Sequence, residues 1–335
     1  MSASYVIGVD GGNSKTDYFL FDVQGNFVDH VRDGTCSHEQ FRDAYDSTYR
    51  IMNEQIGQLL ARSGLTLDDV SAGAFGLAGA DLPSQKERLN EVIERIGFRR
   101  YAMDNDSFLG IKAGSERGFG ICSINGSGTS TGGISPSGRR LLVGGLGSEL
   151  SGDEAGGYFL ARKVLRAVYD SFYRMGPVTR MAEPAMRLLG VAGKERFMEQ
   201  AVSRMLGRAL PNTELMRILF AAADEGDAAA HGIVDNTARQ LACSAVGCLE
   251  NLDFDGVEEV DVILAGSVWV KAESPLMFEL FRQHFVSLTD RRCRYILLDV
   301  PPATGAVLWA LELAGGQPVD AETRRKVIEN VKARM

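Results

Sequence analysis

Cysteine and proline are scarce in this 335-residue chain, and their scarcity excludes several classes of protein. Only nine prolines occur, which excludes collagen-like and proline-rich disordered chains. The cysteines are odd in number and form no Cys-x-x-C pair, which is typical of reduced thiols rather than of a disulfide framework or a zinc site: Cys36, Cys122, Cys243, Cys248 and Cys293. No apolar run reaches the roughly 18 residues of a membrane-spanning helix. We therefore expect a globular protein without a membrane partner.

Positive charge is also in short supply. The chain has 36 lysines and arginines against 44 acidic residues, for a net charge of −8 at pH 7. No basic run is long enough for a nucleic-acid site, so we expect no nucleic-acid partner. The first residues lead directly into a strand-like segment that contains Asp10, which is not typical of a signal peptide. We predict a cytoplasmic protein.

Glycine, in contrast, is abundant. The chain contains 38 glycines, well above the usual ~7% of residues. Many of them lie in four clusters, at 11–12, 126–133, 144–147 and 152–157. Such clusters predict turns in which the backbone approaches a ligand closely.

The predicted secondary structure repeats in one order. In the first half we predict strands at 5–9, 16–22, 27–32, 70–77 and 100–103, and helices at 38–62, 83–96 and 107–113. In the second half we predict strands at 119–124, 130–134, 140–143, 260–265 and 294–300, and helices at 153–173, 228–252, 275–286 and 304–313. This order indicates a duplicated β-β-β-α-β-α topology in an α/β protein, although no residue-level repeat proves it.

The duplication predicts two lobes. We assign residues 1–115 to an N-terminal lobe and 116–319 to a C-terminal lobe, with a helical insertion at about 175–227. Residues 320–335 form a terminal helix, with Asp320 as its N-cap, that is a candidate to pack on the N-terminal lobe. Two glycine-rich hairpin turns then face each other across a cleft that suits a phosphate chain. The insertion and the terminal helix leave a homodimer open.

The first hairpin turn reads Asp10-Gly11-Gly12-Asn13-Ser14-Lys15-Thr16. Its glycines allow backbone N–H groups to reach phosphate oxygens, and its hydroxyls add donors. Asp10 is placed to orient Mg²⁺ through water, because Mg²⁺ keeps much of its hydration shell. An ordinary hairpin turn is the alternative interpretation.

A carboxylate pair follows the strand predicted at 100–103. Asp106 is expected near a helix N-terminus, where it stays ionised and accepts a hydroxyl proton. Its alternative role is that of an N-cap, and Asp104 competes for the role of base.

Three further glycine-rich segments could bind ligand or be ordinary loops. Asn125 to Ser130 forms the second hairpin turn, and Gly144 to Gly147 precedes the acidic pair Asp153 and Glu154. Gly266-Ser267 follows an apolar strand, where a flat surface suits a purine ring.

In their order, these motifs resemble the N-acetylglucosamine kinase branch of the BadF/BadG-type ATPase family, within the actin-like sugar kinase and Hsp70 superfamily. The resemblance spans Val6 to Leu313, and its most specific parts are the first loop, the spacing of Asp106 before Gly126, and Gly152-Asp153-Glu154. It implies two actin-like (ribonuclease H-like) lobes that close around a nucleotide cleft.

The resemblance also implies roles for residues. Asp106 matches the family's catalytic base, and Asp10 would help to place Mg²⁺. ATP and phosphate contacts are implied for Gly11, Gly12, Asn13, Ser14, Lys15, Thr16, Gly126, Ser127, Gly128, Thr129, Gly266 and Ser267. Sugar contacts are implied for Ser37, His38, Asp106, Ser127, Thr129, Ser130, Gly145, Asp153 and Glu154. The chain departs from the family pattern around the sugar, at Asn13, Ser37, Ser127 and Leu146.

These implications predict an ATP- and Mg²⁺-dependent kinase that phosphorylates a hydroxyl, O6, of N-acetylglucosamine or a related amino sugar. Glucosamine and N-acetylmuramic acid stay open as acceptors. An ATPase coupled to a protein partner is the alternative from another class, and a sugar sensor without turnover is a third.

Overall fold

Two mixed sheets of five strands each form the centre of the structure, a computed structural model that describes residues 4–271 and 274–335. The first sheet contains β1 (Tyr5–Gly11), β2 (Lys15–Asp22), β3 (Phe27–Gly34), β4 (Val70–Leu77) and β5 (Tyr101–Asp104), in the order β3-β2-β1-β4-β5. The second contains β6 (Gly120–Asn125), β7 (Thr129–Ile134), β8 (Arg140–Gly144), β9 (Val260–Ala265) and β10 (Cys293–Leu297), in the order β8-β7-β6-β9-β10. In each sheet the first three strands pair antiparallel and the last two join in parallel. The predicted duplication of topology is confirmed.

Twelve α-helices surround the two sheets in the described residues. They are α1 (Tyr45–Arg62), α2 (Pro83–Ile96), α3 (Ser107–Gly114), α4 (Gly157–Tyr173), α5 (Ala182–Leu189), α6 (Phe197–Leu206), α7 (Asn212–Asp224), α8 (Ala228–Asn251), α9 (Ser267–Val270), α10 (Leu276–Leu288), α11 (Ala303–Gly315) and α12 (Ala321–Lys332). The segment 175–227 holds α5 to α7. None of the described helices is both long enough and apolar enough to cross a membrane.

Two helix starts differ from the prediction. The helix predicted from His38 is a single 3-10 turn at His38–Gln40, and α1 begins only at Tyr45, after Ala44 takes a φ of 43°. The helix predicted from Asp153 begins at Gly157. In both places, side chains bonded or packed outside the helix hold the preceding residues in a loop. The predicted strand at 294–300 is also shorter and ends at Leu297.

Two helices are exchanged between the halves. Helix α3 follows β5 in the chain but packs on β6 and β7, whereas α11, near the end of the chain, packs on β1 and β4. Their side chains share one core, which includes Val6, Phe108, Cys122, Ile263 and Val307. Each sheet is therefore covered in part by a helix from the other half of the chain.

The terminal helix α12 packs on the first sheet. Its Val327 and Val331 are fully buried and belong to the same core as Phe19 and Phe21 of β2. Asp320 accepts hydrogen bonds from the N–H groups of Glu322 and Thr323, at 3.0 and 2.9 Å, which confirms it as the N-cap.

Candidate active site

A cleft of about 360 Å³ opens where the loops of the two sheets meet. Residues of the first half line one side: Asn13, Ser14, Glu39, Ala78, Gly79, Asp81, Asn105 and Asp106. Residues of the second half line the other: Ile124, Ser127, Gly128, Thr129, Ser130, Gly145, Leu146 and Gly147. The structure thus brings together, from distant parts of the sequence, the first loop, Asp106, the second loop and Gly145.

Asp106 lies between β5 and α3, partly buried, with its side chain on the cleft. Asp106 occupies the N-cap position of α3, as the alternative interpretation expects, but its side chain makes no capping hydrogen bond. Asn105 makes the bond that caps the helix instead: its Oδ1 accepts the N–H of Ser107 at 2.9 Å. Burial raises the pKa of Asp106 to about 6, although backbone N–H groups of Asp106 and Ser107 partly offset that effect. The result is a carboxyl group that is ionised at neutral pH and can take up a proton.

Asp104, the competing candidate for the base, is occupied elsewhere. It is buried, and its Oδ1 accepts a hydrogen bond from Lys86 Nζ at 2.6 Å and from the N–H of Asn105 at 2.9 Å. Its Oδ2 forms an ion pair with Arg140 at 2.9 Å. Because both oxygens hold cations, Asp104 joins β5 to α2 and β8 and leaves the cleft to Asp106.

Asp10 lies at the end of β1, partly buried, and is electrostatically coupled to Asp106. Burial raises its pKa to about 7, Asp106 and Asp17 raise it further, and Lys15 and the N–H of Ala303 partly offset the rise. Two neighbouring carboxyl groups with raised pKa values are the surroundings in which a bound cation is most stabilising.

The first loop is a tight hairpin closed by a hydrogen bond from the N–H of Gly12 to the carbonyl of Lys15, at 3.0 Å. Only Asn13 and Ser14, at its tip, line the cleft. The ammonium of Lys15 lies 3.6 Å from Asp17 Oδ2. Thr16 is fully buried, and its hydroxyl accepts the N–H of Cys36 at 3.0 Å. Gly11 and Gly12 shape the turn, and neither they nor Lys15 and Thr16 line the cleft.

The second loop is attached to the start of α4. The N–H groups of Gly157 and Tyr158 donate to the carbonyls of Gly126 and Ser127 at 2.8 and 3.1 Å. The hydroxyl of Thr129 donates back to the carbonyl of Ile124 at 2.8 Å. These bonds hold Ser127, Gly128 and Thr129 against the cleft without help from a ligand.

Gly266 supports the second loop from behind. It has a φ of 100°, and a Cβ on it would lie 2.6 Å from the carbonyl carbon of Asn125. Only glycine fits such a backbone conformation and so close an approach. Ser267, the next residue, is exposed at the start of α9. Neither residue lines the cleft itself; both lie beside its second loop.

Asp153 and Glu154 do not line the cleft either. The buried carboxylate of Asp153 accepts the N–H groups of Gly145 and Gly147 at 3.0 and 2.9 Å, so it shapes the loop after β8. Glu154 turns toward α8, where its Oε2 accepts a hydrogen bond from Asn236 at 3.1 Å. Their contribution to the cleft is the position of Gly145 and Gly147.

Ser37 and His38 lie behind the wall of the cleft. Ser37 is buried, and its hydroxyl donates to the carbonyl of Ala78 at 3.5 Å. The ring of His38 stacks on Tyr45, with centroids 4.4 Å apart, and burial lowers its pKa. Their neighbour Glu39 is the residue of this segment that lines the cleft.

Sequence reasoning missed Asp81 and Glu39. Asp81 follows β4, and its Oδ1 accepts a hydrogen bond from Asn105 Nδ2 at 2.7 Å. Burial raises the pKa of Asp81 to about 7, and the negative charges of Glu39 and Asp106 add to the rise. A signal for Asp81 was present, because it lies shortly after the C-terminal end of a buried strand, as Asp106 does. Glu39 had none, since it was predicted to lie inside a helix.

Two sheets of duplicated topology, exchanged helices and a carboxylate between two hairpin loops define an actin-like, two-lobed nucleotide-binding fold. The sequence matches the model of the BadF/BadG/BcrA/BcrD ATPase family over residues 7–310, and the chain belongs to that family. The resemblance seen in the sequence is thereby confirmed.

Individual relatives are more distant. The chain is 27% identical over 310 residues to an N-acetylmuramic acid/N-acetylglucosamine kinase of Clostridium acetobutylicum, a match that covers 91% of this chain and 98% of the relative. It is 24% identical to an N-acetyl-D-glucosamine kinase of Dictyostelium discoideum, over 79% of this chain and 86% of that one. Among solved structures, one from Chromobacterium violaceum described as an N-acetylglucosamine kinase aligns with a TM-score of 0.65 and 20% identity, over 92% of this chain and 100% of the other. The first two matches suggest an ATP-dependent amino-sugar kinase, and the third establishes the likeness of fold.

Proposed function

We propose that the protein transfers the γ-phosphoryl group of ATP to a hydroxyl, O6, of N-acetylglucosamine or a related amino sugar. The observation that carries the proposal is the position of Asp106: a partly buried carboxyl group, ionised at neutral pH, on a cleft between two hairpin loops of a BadF/BadG-type ATPase. Positioning and electrostatics supply most of the rate enhancement in such a transfer, so few reacting side chains are needed.

The loops suit the phosphates and the sugar by their chemistry. Asn13 and Ser14 on one side, and Ser127 to Thr129 on the other, offer backbone N–H groups and hydroxyls without bulky side chains. We assign Ser130 and Gly145, which line the second side, to the sugar hydroxyls, and Gly266-Ser267, which do not line the cleft, to the adenosine. Asp153 and Glu154 support this arrangement from outside the cleft.

The partly buried Asp10 fits a hydrated Mg²⁺. Burial, together with the negative charges of Asp106 and Asp17, raises the pKa of Asp10 to about 7, and a bound cation would favour its ionised form. No group of three or more His, Cys, Asp or Glu side chains able to ligate one ion occurs in residues 4–271 and 274–335, so Asp10 would hold the ion through waters and phosphate oxygens. When bound, Mg²⁺ would offset the charge of the phosphates.

The proton follows a direct route. As the sugar oxygen forms its bond to the γ-phosphorus, the bond from that phosphorus to the bridging oxygen of ADP breaks, and the hydroxyl proton passes to a carboxylate oxygen of Asp106. The backbone N–H groups of Asp106 and Ser107 favour the ionised form of that carboxylate. Because the pKa of Asp106 is about 6, it releases the proton to water after the products leave.

The substitution Asp106→Asn tests the role. It removes the base but keeps the shape, so kcat of sugar-dependent ADP release should fall by about 10²- to 10⁴-fold, whereas the affinity for ATP, measured by calorimetry, should change little. The matched control is Asp68→Asn, which changes an exposed carboxylate that does not line the cleft. This variant should retain the wild-type kcat. If Asp106→Asn keeps more than about a tenth of kcat, the base is another residue.

A further inference from the structure

The cleft is more acidic than phosphoryl transfer alone requires. Three carboxyl groups line it, those of Glu39, Asp81 and Asp106, and none of the lysine, arginine or histidine side chains that the structure describes lines it. Lys86 lowers the pKa of Asp81 slightly, but its ammonium is hydrogen-bonded to Asp104 at 2.6 Å. The acceptor therefore enters a negatively charged site.

Asp81 is held in place from two directions. At the start of α2, Gln85 Oε1 accepts the N–H of Asp81 at 3.2 Å, and Asn105 Nδ2 donates to its Oδ1 at 2.7 Å. Across the cleft, a Cβ on Gly145 would lie 3.1 Å from that same oxygen. Among the residues that the structure describes, Oδ2 of Asp81 has no hydrogen-bond partner. One oxygen thus anchors the side chain and the other is available to a substrate.

The substituent at C2 or O3 of the acceptor decides how it interacts with this site. A free ammonium on C2 would pair with the carboxylates of Asp81 and Glu39. Its positive charge would offset the repulsion between these two carboxylates, which favours binding. An N-acetyl methyl requires apolar contact, but the apolar side chains that line the cleft are Ala78, Ile124 and Leu146, and Leu146 is 49% exposed. A lactyl carboxylate on O3 would meet like charge.

We infer that the acceptor is a free amino sugar, a 2-amino-2-deoxyhexose such as glucosamine, and that Asp81, supported by Glu39, determines this specificity by binding its ammonium. The inference rests on the proposed kinase function and narrows its substrate. Asp81 would contact the substrate next to the proposed base, Asp106, and would take no part in proton transfer.

The pH dependence follows from the groups around Asp81. Glu39 and Asp106 face it and, with burial, raise its pKa to about 7, while Asn105 and Lys86 act in the opposite direction. A cation binds the ionised carboxylate. The KM for glucosamine should therefore fall as the pH rises toward about 7 and rise again at higher pH, where the amine of the sugar loses its own proton. The KM for N-acetylglucosamine, which has no such amine, should change much less.

The experiment compares kcat/KM for glucosamine, N-acetylglucosamine and N-acetylmuramic acid in the full-length protein with Mg·ATP. The wild type should prefer glucosamine to N-acetylglucosamine by about tenfold or more, with N-acetylmuramic acid the poorest. Asp81→Asn keeps the acceptor for Asn105 and should reduce that preference by about tenfold. Glu39→Gln, at an exposed position, should reduce it less, and Asp68→Asn should leave it unchanged.

The outcomes separate the two claims. Phosphorylation of N-acetylglucosamine or N-acetylmuramic acid in preference to glucosamine, or an equal loss for all sugars in Asp81→Asn, would overturn the inference and leave the kinase in place. ADP release that no sugar stimulates would overturn the proposed function and the inference with it.

Discussion

The two halves of the molecule have the same strand order but contribute different chemistry to the cleft. The first half contributes the carboxyl groups of Glu39, Asp81 and Asp106, and Asp10 is coupled electrostatically to Asp106 from outside the lining. The second contributes the hydroxyl-rich loop from Ser127 to Ser130 and the glycine-rich loop from Gly145 to Gly147. The duplicated topology therefore determines the position of the cleft, whereas the loops at equivalent strand ends determine which chemical groups line each side of it. In the proposed kinase, the first half would bind the cation and take up the proton, and the second would hold the phosphates and the sugar.

The largest effect is expected from a substitution that displaces the backbone of the second half. Gly266→Ala forces a Cβ against the carbonyl of Asn125 at a φ of 100°, which should displace the second loop. The KM for ATP should rise by about tenfold or more, because the strain alone costs about 1–3 kcal/mol. Gly247→Ala, inside α8 with open space at its Cβ, is the matched control and should keep its KM. A wild-type KM in Gly266→Ala would remove the second loop from nucleotide binding.

The proposed role of the Asp10 carboxylate in binding Mg²⁺ is tested by substitution. Asp10→Asn should raise the Mg²⁺ concentration that gives half-maximal activity by about tenfold, because a carboxylate is the better partner of a hydrated cation. It should also raise the melting temperature at pH 8 more than at pH 5. The pKa of Asp10 is raised to about 7 in the folded protein, so its ionisation opposes folding, and that cost grows as the pH rises from about 4 through 7. An unchanged Mg²⁺ requirement would contradict the role.

Asp104 provides a further test, because it lies only two residues from the proposed base and yet bonds to side chains of both halves, Lys86 and Arg140. Asp104→Asn removes the partner of Lys86 and Arg140 and should lower the free energy of unfolding by about 1–3 kcal/mol, a moderate loss because both cations are partly exposed. Urea titration measures the change. Its kcat, assayed well below the melting temperature, should stay within about tenfold of wild type, unlike that of Asp106→Asn. A larger loss of kcat without a loss of stability would return Asp104 to the list of bases.

The smallest effect is expected at Lys15. Its ammonium lies 3.6 Å from Asp17 and does not line the cleft, so Lys15→Gln should change the KM for ATP by less than about threefold. Arg32 and His30 also bond Asp17, at 2.7 and 2.9 Å, and keep that carboxylate paired in the variant. A tenfold rise in KM would instead mean that Lys15 turns to the phosphates when ATP binds.

Much of the fold could be predicted from the sequence. Val70–Leu77 and Val260–Ala265 form strands with the predicted bounds, because short, mostly apolar runs favour buried parallel strands. The exchange of α3 and α11 could not be predicted, since both helices are apolar on several faces and their patterns do not say which sheet they cover.

The site was only partly predictable. Asp106 was predicted to be a site residue from its position between a strand and a helix, and the structure shows that it lines the cleft. Asp153 was not placed correctly, because the direction of its carboxylate depends on the left-handed backbone of Gly145 and Gly147, whose geometry no local pattern encodes. Asp81 acquires its role only when Gly145 and Asn105 come together from distant parts of the chain.

The central claim is that the carboxyl groups of one half and the loops of the other together form an amino-sugar kinase. A coupled ADP-release assay with Mg·ATP against hexoses, amino sugars, N-acetylated sugars and muramic derivatives tests it most directly. The account predicts that an amino sugar raises ADP release far above the background and that other hexoses do not. ADP release at the same rate with and without every sugar would contradict it, and would instead favour an ATPase coupled to a protein partner.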